Sequence, residues 1–145
     1  MLNRFFAFAL FGAASLIALG CSKLEGRPEI QKVLDLQVVA WNEGNIDQFM
    51  EGYWKSDSLQ FIGTEIVTGW KATLNRYKKT YPNKDAMGSL RFEILNFHKV
   101  ADDAYLITGK YFLRRKNDSP QGVFTLLFRL IDRKWVIVYD HTSSR

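Results

Sequence analysis

Cysteine occurs once in the 145-residue chain, at Cys21, and histidine twice, at His98 and His141. A single thiol closes no internal disulfide, and two separated imidazoles without clustered carboxylates make no recognisable metal site. No metal and no cofactor is therefore expected. The chain also lacks a phosphate-cradling glycine loop and any nucleophile motif. Basic residues exceed acidic ones, 20 against 15, yet the longest basic run is Arg114-Arg115-Lys116. So mild and scattered a charge argues against nucleic acid as a partner. Long apolar runs are scarce too. The most extended is FFAFALFGAASLIAL, residues 5–19, short of the roughly twenty residues that cross a bilayer as a helix.

That run has another use. Arg4 precedes it and Ala18-Leu19-Gly20-Cys21 follows it, which is the layout of an export signal over residues 1–20. The ALGC tetrapeptide resembles the lipobox of bacterial lipoproteins, with Ala18 where leucine is usual. The resemblance implies that Cys21 carries lipid and becomes the mature N-terminus. Ser22 and Lys23 resemble the retention context of the outer membrane. The expected address is the cell envelope, lipid-anchored at the outer membrane and facing the periplasm. Residues 21–27 then form the lipidated cysteine and tether, and residues 28–145 the folded domain.

What the domain has in quantity is aromatic side chains: 11 Phe, 6 Tyr and 4 Trp, enough for a core or cavity walled by rings. Pro28 and Glu29 suit the start of a helix. Ile30, Val33, Leu34, Val38 and Trp41 recur at helical spacing until Gly44 closes the run. Asn45 can cap a second, short helix with Ile46, Phe49, Met50 and Tyr53 on one face. LQFIGTEIVTGW reads as a hairpin about Gly63-Thr64. Trp70, Leu74, Tyr77 and Tyr81 mark a third helix, stopped by Pro82, with Lys71, Lys78 and Lys79 on a solvated side. From residue 89 the period changes to two. SLRFEILNFHKV, DAYLITGKYFLRR, GVFTLLFRLID and KWVIVYDHTS read as four strands separated by polar turns. Helices first and a meander of long strands afterwards predict an α+β domain, helices on one face of a curved antiparallel sheet.

This order of elements resembles the nuclear-transport-factor-2-like, or SnoaL-like, fold shared with ketosteroid isomerase. The segments VVAWNEGNIDQFMEGYW, SLQFIGTEIVTGWKATLNRYKKTYP and GVFTLLFRLIDRKWVIVYDHTS are similar to a domain-of-unknown-function branch of that superfamily. The resemblance implies a cone whose helices and sheet enclose a pocket. It leaves function open, because members include isomerases, cyclases, dehydratases and non-catalytic binders.

Strand parity nominates residues for the pocket. In the last strand Val136, Val138, Asp140 and Thr142 share one face, and Trp135, Ile137, Tyr139 and His141 the other. Asp140 and His141 therefore do not form a dyad. With the first set turned inward, Asp140, Tyr111, Phe124 and Phe128 face the pocket, and His98 joins them from the first long strand with Phe92, Ile94 and Asn96. Tyr77 is added from the third helix. Asp140 is the candidate base and the tyrosines candidate oxyanion donors. Glu65, beside the hairpin turn, does not match the carboxylate base of the isomerase-like relatives. Two readings remain: a domain binding an apolar small molecule or a protein partner, and a cofactor-free isomerase, cyclase or dehydratase. A dry Asp140 favours the second and a wet one the first. Trp135, Ile137, Tyr139, Leu127 and Ile131 on the outer face suggest a homodimer.

Overall fold

The computed structural model describes residues 26–144; the expected export signal, Cys21 and the start of the expected tether lie outside them. Helix α1 spans Gly26–Asn42 and buries Ile30, Leu34, Gln37, Ala40 and Trp41, one stripe of the helix surface. It ends as the sequence predicts. Gly44 adopts φ 79°, a left-handed conformation that costs glycine little, and the Asn45 amide donates back to Ala40 O at 2.8 Å. Asn45 caps α2, Ile46–Phe49, its side chain accepting from the Gln48 amide. A 3-10 turn, Met50–Gly52, follows. The hairpin is β1, Gln60–Ile62, with β2, Ile66–Thr68. Helix α3 covers Trp70–Thr80, and Pro82 stands just beyond it. The short α4, Lys84–Met87, was not foreseen; Asn83 caps it by accepting from the Ala86 amide. Four long strands complete the chain: β3 Ser89–Ala101, β4 Ala104–Arg114, β5 Gln121–Ile131 and β6 Lys134–Ser144.

The strands form one sheet in the order β2-β1-β6-β5-β4-β3. All pairings are antiparallel except β1 with β6, which is parallel and sets Phe61 beside Asp140. The helices cover the concave face, and polar side chains secure them. Gln37 Nε2 donates to Phe49 O at 3.2 Å and Trp41 Nε1 to Met87 O at 3.1 Å. Asn42 exchanges two hydrogen bonds with the Leu90 backbone at 3.1 and 2.7 Å, clamping the end of α1 to β3. The fold is thus the expected α+β cone.

Of the three register shifts in the sheet, two change which of the nominated residues face inward. In β3 the register slips between Ile94 and Asn96, leaving Leu95 as the extra residue. Phe97 then packs on the core, while His98 lies exposed on the outer face opposite Leu106. The inward placement of His98 is therefore corrected: strict alternation cannot register an inserted residue. In β6 the partners run Leu127 with Tyr139, then Phe128 with Ile137, so Val138 is the extra residue. Trp135 and Ile137, assigned outward by parity, are core residues with 4% and 0% exposure. Beyond Val138 the phase reverts, so Asp140 also points in. Bulges bend the strand that carries them, which suits a sheet wrapped into a cone.

Candidate functional site

The mouth and walls of the cone enclose a cavity of about 320 Å³, near the lower limit of the roughly 300–1,000 Å³ usual for small-molecule sites. Its helical wall is aromatic: Trp41, Phe49, Tyr77 and Tyr81 line it. Trp41 meets Phe49 edge-on at 5.1 Å and Tyr81 at 4.8 Å, an arrangement that fits the ring quadrupoles. The sheet contributes Phe61, Phe92, Tyr111 and Phe124. Phe124 lies edge-on to Phe92 at 5.2 Å, and it can do so because Gly109 is its cross-strand partner. A Cβ on Gly109 would stand 2.5 Å from Phe124 Cζ and 2.8 Å from Glu93 O.

Into this apolar lining projects one carboxylate. Asp140 is 3% exposed and borders the cavity. Tyr53 Oη donates to its Oδ2 at 2.7 Å and Thr142 Oγ1 to its Oδ1 at 2.7 Å. Tyr53 and Tyr77 hydroxyls are 3.4 Å apart. The single Tyr53 proton is committed to Asp140, so Tyr77 donates and Tyr53 accepts. The result is a chain from Tyr77 through Tyr53 to Asp140. Desolvation by burial lifts the Asp140 carboxyl above its ordinary value, against the opposing pull of Tyr53, Thr142 and the Arg76 charge. Burial and the Asp140 charge likewise lift the Tyr53 and Tyr77 hydroxyls. Both phenols therefore stay protonated at neutral pH and available as donors.

Of the residues nominated from sequence, Tyr77, Phe92, Tyr111, Phe124 and Asp140 line the cavity. Phe128 and His98 do not. Phe128 shares the inward face of β5 but is fully buried in the hydrophobic core. Glu65 is exposed at the hairpin turn. Sequence reasoning missed Tyr53 and Arg76, and it turned Thr142 inward with Asp140 without giving it a role. Tyr53 looked like part of a helical face, whereas it is extended, at φ −99° and ψ 147°, and bridges to Ile137 in β6. For Arg76 a signal was present: Thr73, Arg76, Tyr77 and Thr80 recur at the spacing of one helix face. Among the described residues no group of three or more His, Cys, Asp or Glu is placed to hold a metal ion.

Residues 30–145 match the profile of the SnoaL-like domain. The chain belongs to the SnoaL-like domain family. A solved NTF-2-like protein of unknown function from Shewanella oneidensis MR-1 is 40% identical, with a TM-score of 0.79 over 81% of this chain and 98% of that one. More distant is a ketosteroid isomerase-like protein from Erwinia carotovora atroseptica, at 14% identity and a TM-score of 0.64, over 83% and 97% of the two chains. An NTF2-like protein of unknown function from Pseudomonas putida KT2440 aligns at 16% identity and 0.64, over 81% and 85%. The last two share the fold. No curated protein matches the chain. Membership of the SnoaL-like family therefore fixes the architecture, and the chemistry has to be read from Asp140 and its surroundings.

Proposed function

We propose that this SnoaL-like domain binds an apolar small molecule in its cone, and that lipid on Cys21 tethers it to the cell envelope. The observation that carries the ligand reading is a cavity of about 320 Å³ walled by aromatic rings from both the helices and the sheet. An aromatic enclosure supplies affinity by removing apolar surface from water, at roughly 25 cal/mol per Å². A few fixed polar groups supply orientation; here they are Asp140 and the tyrosines behind it. The tether reading rests on Arg4, the apolar run and ALGC. Among the described residues no helix is long and apolar enough to cross a membrane.

A second reading has an observation of its own. Asp140 is dry, and a carboxyl raised toward neutrality by desolvation is a better proton acceptor than one in water. On this reading the domain is a cofactor-free isomerase, cyclase or dehydratase, in which Asp140 takes a proton from the substrate and returns it to the product or leaving group, while Tyr53 and Thr142 hold the carboxylate in place. The two readings separate in one experiment. Wild type and Asp140→Asn are screened by thermal shift against apolar carbonyl and hydroxyl compounds, and each hit is checked for conversion. Hits shared by both proteins and left chemically unchanged support binding. Conversion by wild type alone, with a loss of about 10²–10⁴-fold in Asp140→Asn, supports proton transfer. A screen with no hit for either protein counts against both.

A further inference from the structure

The cavity has a positive side as well as a negative one. Arg76, from α3, lines it together with Gly63 and Thr64 of the hairpin. Its guanidinium lies over the Phe61 ring at 4.3 Å from the centroid and reaches the backbone at Gly63, with Nη2 3.4 Å from where a Cβ would stand there. Stacking on a ring occupies the face of a guanidinium and leaves its N–H edge open. Among the described residues that edge has no ion pair and no hydrogen bond. Arg115, the other cation lining the cavity, differs. Its Nε and Nη2 hold both Asp118 oxygens at 2.6 and 2.8 Å, and Nη1 donates to Ala86 O at 3.3 Å. Arg115 is thus committed to the protein and Arg76 is not.

The Arg76 charge is nevertheless felt inside. It lowers the pKa values of Asp140, Tyr77 and Tyr81 against the effect of burial. No carboxylate answers it within ion-pair distance, Asp140 included. An unanswered planar cation bordering a ring-lined cavity matches a planar anion, with two N–H groups donating to two oxygens. Asp140 would repel the same anion, which fixes the direction of entry.

We infer that the ligand is an amphiphilic carboxylate, its apolar body among the rings and its carboxylate on Arg76, with the end distal to the carboxylate directed at Asp140. This rests on the proposal that the cone binds a small molecule and specifies the class of molecule. Arg76 is a specificity-determining residue on this view, and Asp140 excludes the reversed pose.

Matched probes test it: 3-phenylpropanoate against 3-phenylpropanamide, and decanoate against decanamide, titrated calorimetrically at pH 7 into wild type, Arg76→Gln and Arg76→Lys. A charged hydrogen-bonded pair, part-screened by water, is worth about tenfold in affinity. The expected result is that wild type prefers each acid to its amide by about that factor. Arg76→Gln should erase the preference, weakening the acids by about tenfold more than the amides, which still bind, and Arg76→Lys should restore part of it. Raising the salt concentration should weaken the acids and spare the amides. Equal binding of acid and amide by wild type, or an undiminished preference in Arg76→Gln, overturns the assignment of Arg76 and leaves the cone as a neutral-ligand site. Failure of all four probes to bind wild type overturns the small-molecule reading and this inference with it. Amide binding lost from Arg76→Gln as well would make Arg76 a structural residue and likewise overturn the assignment.

Discussion

Asp140 owes its state to two opposed effects, burial and hydrogen bonding, and burial is the larger. Its proton affinity in the folded chain therefore exceeds that in the unfolded chain. Between the unfolded and folded pKa values the native state binds more protons, so this group's contribution is full below the unfolded pKa and is lost as pH rises through the folded one. Asp140→Asn removes that dependence. Relative to wild type, the variant should gain stability as pH is raised from about 3 to neutrality, which urea unfolding at several pH values would register. A difference between the two proteins that is constant with pH, or opposite in sign, would contradict the desolvated carboxylate. Tyr53→Phe acts on the same group from the other side. It deletes the 2.7 Å donor and leaves Oδ2 and the Tyr77 hydroxyl without their partner. Leaving a buried group unpaired costs about 1–3 kcal/mol, more when it is charged. The Asp140 carboxyl should also titrate still higher, a shift that carbon-detected NMR of the side chain would follow.

At the scale of elements, Gly109 shows how β4 makes room for the cavity wall. The 2.5 Å and 2.8 Å approaches to Phe124 and Glu93 O leave no space for a methyl group. Gly109→Ala should cost about 1–3 kcal/mol by overpacking and tilt Phe124 out of its edge-on contact with Phe92. Denaturation and the ring-current shifts of Phe92 report the two effects separately. Those elements were largely legible beforehand. The α1 stripe and its Gly44 stop, the Asn45 cap and the four strands with their turns follow local rules that residues carry individually. The bulges do not. Leu95 and Val138 are ordinary strand residues, and only the pairing register with β4 and β5 makes them extra. From that one blind spot came the inward His98 and the outward Trp135 and Ile137. Asp140 kept its correct side because it lies on the C-terminal side of the Val138 bulge. Tyr53 was hidden for a related reason, since its contact with β6 is long-range and leaves no period in the sequence.

Over the whole molecule, the same bulges reshape the face of the sheet turned away from the helices, and with it the case for a homodimer. Trp135 and Ile137 are withdrawn into the core, so the apolar surface left there is smaller than parity implied. It is still continuous across strands. Leu106 pairs with Leu127 and Leu127 with Tyr139, forming one row over β4, β5 and β6, with Thr108, Thr125 and His141 as the adjoining row. Val123 is exposed near one end of these rows. A two-fold axis through such a patch would set identical rows against each other, as an isologous interface requires. These two rows hold leucine, tyrosine, threonine and histidine, and the flanking rows carry Glu93, Lys110 and Arg129, an uncharged centre inside a charged rim, as interfaces have. The expected state of residues 22–145 is therefore a dimer through this face, and Leu127→Glu should shift it to a monomer, because a buried unpaired charge opposes association by several kcal/mol. Light scattering at tens of micromolar distinguishes the outcomes, with circular dichroism to establish that the variant is folded. A monomeric wild-type mass, or a dimer indifferent to Leu127→Glu, removes the outer face as the interface. In the full-length protein the tether is tested alongside. Two or more acyl chains hold a protein at a membrane where one chain gives only marginal binding, so Cys21→Ser should leave the membrane fraction while the dimer persists in solution. Membrane retention of that variant would count against lipid on Cys21, and loss of the dimer with release would tie assembly to the membrane surface instead of to the sheet.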